Sequence, residues 1–513
     1  MKNIFYISCI SLLNIHLVFC SRILFVAPIP SYSHQIFFRK IWLKLAERGH
    51  DLTVLSTDYM ENAPKNVRQI DWHFTYQLRH NKYNISQVYL DNEDDIAKVI
   101  SVYITMLNEI SDRELSQPDV QQLLKNRDEK FDLLIAEFHH PLVFAFSSYF
   151  NCPYIGISSA NIDNSFHELL GNPAHPLLYP SIFSPLDGQM TFRTKVDILT
   201  FWIKSRFNKY SHGDPYHDEL ARKHFGSNLP PMLDIIRNVS LVLINTHVVF
   251  DDRPLLPGLI RIGGGTHLEP AKALPHNIQE FLDDAPEGAI YFSLGTNVKS
   301  TCLKPDTLNA FIEAFRELPF KVLWRFEDDL KNVSTNVKIF KWLPQSDVLR
   351  HKNVKAFITQ GGLQSIDESI FSYVPMIVIP FVSDQKLNAR NIKRKGLGVY
   401  LDKSNLDKEC LKQAILEVIS NQTYKTNVKN IANYIEDQPM SGLDTAIWWI
   451  EYVIRHKGTK HLWNFDNILP LYEYLMLDVI FYMIFINLTP LYLAYILGKF
   501  FIRRIYFNYI KQL

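Results

Sequence analysis

The chain has 513 residues, more than one ordinary hydrophobic core accommodates, so two or more domains are expected. Hydrophobic residues make up 47% and charged residues 21%, which excludes a disordered chain. A formal net charge of +1 gives nucleic acid, or any other polyanion, no electrostatic claim as the main partner.

In chain order, the first predicted element is a secretory signal over residues 1–20. Met1 and Lys2 give a short basic start, Ile4 to Phe19 is mostly apolar, and Val18 and Cys20 suit a cleavage site before Ser21. A buried first strand and helix is the plainer alternative, but Arg22 to Ile29 already supplies a strand. Short β-branched runs then alternate with helical patterns. Strands are predicted at residues 23–28, 52–55, 133–136, 154–157 and 241–245, and again at 289–293, 322–325, 356–359 and 376–379. Strands separated by helices imply βαβ units and parallel sheets. The two series meet at FDDRPLLPGLIRIGGG, Phe250 to Gly265, which is rich in Pro and Gly and reads as a linker. The fold class is therefore α/β, with one half over residues 21–250 and the other over 256–460. Residues 163–228 are less regular and read as a helical insertion.

From Val479 to Gly498 no residue is charged, and about 20 such residues span a bilayer as a helix. A single transmembrane helix is predicted over 476–498, followed by a basic tail over 499–513 with Lys499, Arg503, Arg504 and Lys511. A buried core helix is the alternative reading. The positive tail belongs in the cytosol, which makes the chain a single-pass type I protein of the endoplasmic reticulum membrane with its bulk in the lumen. Asn84, Asn238, Asn332 and Asn421 then become acceptors for N-glycans, whereas Asn487 lies within the span. Once Cys9 and Cys20 leave with the signal, Cys152, Cys302 and Cys410 remain. That odd, widely spaced set carries no disulfide framework or metal knuckle and reads as buried free thiols.

In open α/β sheets ligands bind beyond the carboxyl ends of the strands, so the loops there hold the candidate chemistry. In AFITQGGLQSIDES, Ala356 to Ser369, Gly361 and Gly362 follow a strand and precede a helix. Such a turn presents backbone N–H groups to an anion, phosphate above all. Ser365 could add a hydroxyl, Glu368 could accept from a ribose hydroxyl, and Asp384 with Gln385 could serve the hydroxyls of a sugar. An N-capped helix without a ligand explains the local pattern equally well. In FKWLPQSDVL, Trp342 could stack on a flat base and Gln345 could bond to it. YFSLGTN, Tyr291 to Asn297, ends a strand in a loop carrying Ser293 and Gly295. In the first half, His34 falls in the loop after the first strand, and imidazole is the usual general base near neutral pH. A base histidine is commonly oriented by a carboxylate, and Glu137 ends the strand of FDLLIAEFHHP. His139 and His140 without a third ligand are poor evidence for a metal.

These motifs, in this order, resemble the UDP-glycosyltransferase family in its membrane-bound form, which includes UDP-glucuronosyltransferases and UDP-glucosyltransferases. The resemblance rests on Phe357-Ile-Thr-Gln-Gly-Gly, Glu368, Pro375, Pro380 and Asp384-Gln385, on Trp342 to Gln345, on Ser293 to Gly295, and on Trp449 to Leu462. It implies a GT-B fold, two Rossmann-like domains facing a cleft, with the acceptor on the first and the UDP-sugar on the second. It implies that Trp342 and Gln345 contact uracil and ribose and that Glu368 holds the ribose. It places Ser293, Gln360 and the Ser365 amide near the diphosphate, and Asp384 and Gln385 on the sugar. His34 would be the catalytic base and Glu137 its partner. Gln360 stands where vertebrate members usually carry His, an arthropod-like feature that favours UDP-glucose over UDP-glucuronate. Ser365 stands where many members carry Gly, and Glu137 where Asp is usual. Arg253 is a candidate partner for a glucuronate carboxylate. The implied acceptors are small and lipophilic, with Phe74, Tyr76, Phe166 and Phe183 among the aromatic residues of that half, and the implied role is conjugation or detoxification. No cofactor or metal is implied; a homo-oligomer stays open, as does a membrane-anchored binding protein without turnover.

Overall fold

The computed structural model describes residues 20–92, 96–181, 190–208, 214–381, 384–463 and 471–511. The expected signal lies outside these residues except for Cys20, as does Phe183. The chain up to Trp463 is one unit, and the part beyond it is a second.

The first unit contains two sheets, and every strand pairing in them is parallel. The first holds β1 (Arg22–Ala27), β2 (Asp51–Ser56), β3 (Val67–Asp71), β4 (Leu133–Glu137), β5 (Tyr154–Ser158), β6 (Leu241–Ile244) and β7 (Leu259–Arg261). The second holds β8 (Ala289–Ser293), β9 (Lys321–Arg325), β10 (Val337–Phe340), β11 (Val354–Thr359), β12 (Met376–Val378) and β13 (Gly398–Tyr400). Their spatial orders are β3-β2-β1-β4-β5-β6-β7 and β10-β9-β8-β11-β12-β13. Strand β7 lies inside the stretch read as a linker. The central strands are buried on both faces, and for that reason they read as continuous apolar runs.

The order reverses between β1 and β4 in one sheet and between β8 and β11 in the other. These are the switch points where adjacent loops diverge and leave a crevice. The register Val26↔Ala136 ends β1 and β4 side by side, and Thr359↔Ser293 does the same for β11 and β8. His34, Glu137, the Ser293–Asn297 loop and the Gly361-Gly362 turn thus all follow switch-point strands.

The helices that bear on the description below are α1 (Tyr32–Glu47), α2 (Asn164–Leu169), α3 (Phe192–Asn208), α4 (Leu363–Phe371), α5 (Gln385–Arg394) and α6 (Gly442–His456). Helices α2 and α3 lie in the expected helical insertion. Helix α6 follows the second sheet in sequence, but its Ala446, Ile447, Ile450 and Val453 are buried in the core of the first sheet with Ile23, Phe38 and Leu45. The chain thereby straps the two halves together. The second unit carries α7 (Leu477–Ile510), a 34-residue apolar helix. At 1.5 Å per residue it is about 50 Å long, against a hydrocarbon core of ~30 Å. The helix continues through the stretch read as a separate basic tail. Pro490 lies within it, and Asn487 bonds back to the Met483 carbonyl.

Of the three cysteines read as buried thiols, only Cys152 is buried; Cys302 and Cys410 are half-buried, and all three are free. The β12–β13 edge depends on Gly398, where an added Cβ would stand 1.8 Å from the Met376 carbonyl oxygen. Gly398→Ala should therefore destabilise the second half by about 2 kcal/mol or more, read as a lower melting temperature with donor affinity reduced in parallel.

Candidate active site

His34 is expected in a loop, but the structure places it in the first turn of α1. Ser31, with φ −138° and ψ 112°, is the N-cap, so the helix starts at Tyr32. Gln35 fixes this entry by donating from Nε2 to the carbonyls of Ala27 and Ile29, each at 3.1 Å. The His34 ring is consequently carried by a helix, which positions it more rigidly than a loop would.

Glu137, at the end of β4, reaches that ring. Its Oε1 lies 2.5 Å from His34 Nδ1, and its Oε2 accepts from the Ile29 amide at 3.2 Å. The carboxylate is 1% exposed and the imidazole 20%. Both Glu137 oxygens are thus committed, and the extra methylene relative to Asp is absorbed without loss of contact. With Nδ1 held by the carboxylate, Nε2 carries the lone pair able to accept a proton. His139 sits beside this pair, its ring centroid 6.3 Å from that of His34. Burial pulls its pKa down to about 4, so it adds no charge there. The two adjacent histidines turn to different partners, His139 to Ser158 and His140 to Ser111. Among the described residues no group of three or more potential ligands could hold a metal ion.

The second half answers across the crevice. Gly361 has φ +87°, and a Cβ there would meet Val378 at 2.7 Å, so glycine is required at this position. Its amide is taken by Thr359 Oγ1 at 3.3 Å and its carbonyl by Asn388 at 2.9 Å. Of the two glycine amides expected to face an anion, this one is already used. Gly362 is the N-cap of α4, whose first-turn amides, Ser365 among them, supply the positive end of the helix. Ser365 lies inside that helix and not among the positive-φ residues, so the departure from glycine carries no backbone strain. Gln360 is buried, and its Nε2 packs 2.4 Å from where a Cβ on Gly295 would stand. Gly295 itself has φ +68°, and its amide donates to Ser293 Oγ at 3.2 Å. The side chain of Gln360 therefore joins the two loops expected at the diphosphate.

The residues expected at the nucleoside form one network. Gln345 Nε2 donates to Ser365 Oγ at 2.9 Å and to Glu368 Oε2 at 2.5 Å, while Tyr291 donates to Gln345 Oε1 at 3.1 Å. Glu368 Oε1 faces the buried His267 at 3.7 Å. Burial opposes a charge on His267, but Glu368 and Asp367 outweigh it and raise its pKa. Trp342 is 55% exposed, with the Arg325 guanidinium 5.0 Å over its ring and Tyr32 edge-on at 5.4 Å. Beyond β12, Asn388 donates to Asp384 Oδ2 at 2.9 Å. Burial raises the Asp384 pKa, against the opposing effect of the hydrogen bond from Asn388. Gln385 is buried with its Oε1 accepting from the Phe381 amide at 2.8 Å, so its carbonyl end braces the loop. Arg253 is buried against the Tyr179 ring at 4.7 Å, close to Asp251 and Asp163, in company unrelated to the Asp384 cluster.

Residues that the motifs do not reveal close the crevice. Arg79, in the π-helical turn Leu78–Lys82, is 4% exposed. It donates from Nη1 to the Pro30 carbonyl at 2.6 Å and from Nη2 to Asn297 Oδ1 at 3.0 Å. Ser31 Oγ also bonds to Asn297 Oδ1, and Ser86 Oγ to the Asn297 carbonyl. Asn297, the last residue of YFSLGTN, is thereby latched to the turn that leads into His34. A cavity of about 290 Å³ lies along this seam, between Tyr32 and Trp342 on one side and Arg79 and Asn297 on the other. No local pattern marks Arg79, because its partners are 49 and 218 residues away in sequence. If the latch sets the distance between the base and the donor loops, Arg79→Ala should lower kcat by roughly 10- to 100-fold with the fold intact by circular dichroism. The Arg79→Ala/Asn297→Ala pair should lose less than the product of the two single losses.

Comparison with known proteins identifies the family. Residues 22–511 match the family described as UDP-glucoronosyl and UDP-glucosyl transferase. The chain is 34% identical over 469 residues to UDP-glucosyltransferase 2 of Dactylopius coccus, covering 90% of each chain. It is 32% identical over 505 residues to the ecdysteroid UDP-glucosyltransferase of Spodoptera littoralis nuclear polyhedrosis virus, covering 93% of this chain and 96% of that one. Against UDP-glucuronosyltransferase 2B15 of Homo sapiens the identity is 30% over 496 residues, covering 91% and 90%. Among solved structures, UDP-glucose:anthocyanidin 3-O-glucosyltransferase in complex with UDP superposes with a TM-score of 0.57 at 18% identity, covering 85% of this chain and 99% of that one. Such structures share the GT-B fold. The chain therefore belongs to the UDP-glucuronosyl- and UDP-glucosyltransferase family and is a glycosyltransferase that uses a UDP-sugar donor.

Proposed function

We propose that this enzyme transfers glucose from UDP-glucose to a hydroxyl of a small lipophilic acceptor, with inversion at the anomeric carbon, as a conjugation or detoxification reaction. The observation that carries the reading is the His34–Glu137 pair on the first half of the chain, with the turn before it joined to the donor-side loop of the second through Asn297. The acceptor sits on the first half and the donor on the second, with Trp342, Gln345 and Glu368 around the nucleoside. The diphosphate lies among Ser293, Gly295, Gln360, Gly362 and the Ser365 amide, and the sugar lies by Asp384 and Gln385. His34 Nε2 takes the proton of the acceptor hydroxyl as that oxygen bonds to the anomeric carbon. The bond from that carbon to the UDP oxygen breaks, and UDP departs with the electron pair. Glu137 holds the imidazolium so formed, and the N-terminus of α4 meets the charge on the leaving diphosphate. One displacement gives inversion, and no metal takes part.

UDP-glucose is favoured over UDP-glucuronate on two grounds. Gln360 donates to phosphate without adding a cation. Arg253, the arginine considered for a glucuronate carboxylate, stacks on Tyr179 beside Asp251 and Asp163 and, among the described residues, forms no hydrogen bond or ion pair with the Asp384 cluster. The names of the coccid and viral relatives point the same way. We place the enzyme in the endoplasmic reticulum membrane, with α7 as its single span and the catalytic halves luminal. N-glycans are assigned to Asn84, Asn238, Asn332 and Asn421, all exposed.

The test is transfer from radiolabelled UDP-glucose and UDP-glucuronate to a panel of phenols and steroids by membranes containing the enzyme. Turnover with UDP-glucose should exceed that with UDP-glucuronate, and His34→Ala should lower kcat by about 10²- to 10⁴-fold with UDP still bound. Preferential glucuronate transfer would reverse the donor assignment, and an unchanged His34→Ala rate would remove the base.

A further inference from the structure

His267 lies in the segment that carries the chain from β7 into the second half. Its side chain is 2% exposed, yet among the described residues neither Nδ1 nor Nε2 has a hydrogen-bond partner. A buried imidazole in that state costs free energy that its own segment does not offset. What faces it is Glu368 of α4. Glu368 Oε1 stands 3.7 Å from His267 Nε2, within ion-pair range but too long for a hydrogen bond. Glu368 Oε2 is already taken by Gln345 Nε2 at 2.5 Å. The two oxygens of one carboxylate thus look to two different segments.

The surroundings favour a proton on the ring. Burial opposes the charge, but Glu368, Asp367 and the Gln364 carbonyl outweigh it and hold the pKa above its ordinary 6.5. All three belong to α4. Glu368 Oε1 and the Gln364 carbonyl are both acceptors, and only the imidazolium can serve both. Asp367 is itself tied to the linker, its Oδ2 accepting from the Gly265 amide at 3.3 Å, and burial raises its pKa to about 6. The remaining carboxylates near this segment are engaged elsewhere. Glu269 pairs with Lys40 and Lys272, and Asp347 with Arg350 and the Lys272 amide.

We propose that His267 is a positioning residue for the donor: as an imidazolium it fixes the Glu368 carboxylate in the orientation that receives the ribose. A carboxylate has about four acceptor sites. With one oxygen on Gln345 and the other on His267, the sites left over are presented to the ribose hydroxyls. His267 acts through Glu368, and the segment between the halves thereby senses whether a nucleoside is bound. This rests on the placement of Glu368 at the ribose under the proposed function.

The test compares UDP with 2′,3′-dideoxy-UDP in calorimetric binding to the full-length protein. UDP should bind at least ~10-fold more tightly, and Glu368→Gln should bring that ratio below ~3. His267→Gln keeps a polar side chain without the charge. It should lower the ratio by ~3-fold or more and leave the affinity for dideoxy-UDP within about 2-fold. In the unaltered protein the ratio should fall as the pH rises from about 7 to about 9, because a charge held by a raised pKa is lost on the alkaline side. In His267→Gln it should stay flat. The diphosphate ionises alike in both nucleotides and cancels in the ratio. A ratio independent of pH in the unaltered protein, or unchanged by His267→Gln, would overturn the role of His267 even where Glu368→Gln behaves as expected. A ratio untouched by Glu368→Gln would remove Glu368 from the ribose, and His267 with it.

Discussion

The buried carboxylate of Glu137 is the constraint around which the first half of the chain is arranged. A carboxyl group with 1% exposure is tolerated only when its oxygens are engaged. Here the backbone supplies one partner, the Ile29 amide, and His34 supplies the other. Both come from the turn between β1 and α1, and Glu137 ends the neighbouring strand. The parallel register of β1 and β4 is therefore what brings acid and imidazole together. Moving either strand by one residue would reverse which face its side chains meet and leave the carboxylate without its ring.

The same economy appears in the second half, where the side chains expected at the nucleotide mostly hold one another. Gln345 ties Tyr291, Ser365 and Glu368 together, and Gln360 fills the space between the Gly295 loop and the Gly362 turn. Preorganised polar groups of this kind need little rearrangement when a charged ligand arrives. The halves are joined by a strap and a latch. Helix α6 buries its apolar face in the first core, while Arg79 and Ser31 grip Asn297. Hydrogen bonds to a charged guanidinium are each worth about 1.5–3 kcal/mol. The exposed Lys40–Glu269 pair at 2.9 Å adds little, because ion pairs in solvent rarely exceed ~1 kcal/mol.

The legible and illegible parts of the sequence divide along physical lines. Each of the nine predicted strands is present. The four strands that were not predicted, β3, β7, β10 and β13, are the four sheet edges. An edge strand is not covered on all sides, so it lacks the apolar run that marks its neighbours; VRQID of β3 shows this plainly. Residues carried by motifs, such as Ser293, Trp342 and Asp384, were readable as candidates because they sit in or beside local strand-end turns. Arg79 and His267 were not, because their partners lie in distant segments. His34 was readable as a residue but not as part of a helix, since Ser31 caps α1 with backbone geometry and gives no side-chain capping bond.

The central claim is that His34 and Glu137 act as one proton-accepting unit. A double-mutant cycle on single-turnover sugar transfer, with His34→Ala, Glu137→Gln and their combination, tests it most directly. If Glu137 works through the imidazole, the double variant should be no slower than His34→Ala alone. Losses that multiply in the double variant would show two independent contributions and contradict the account.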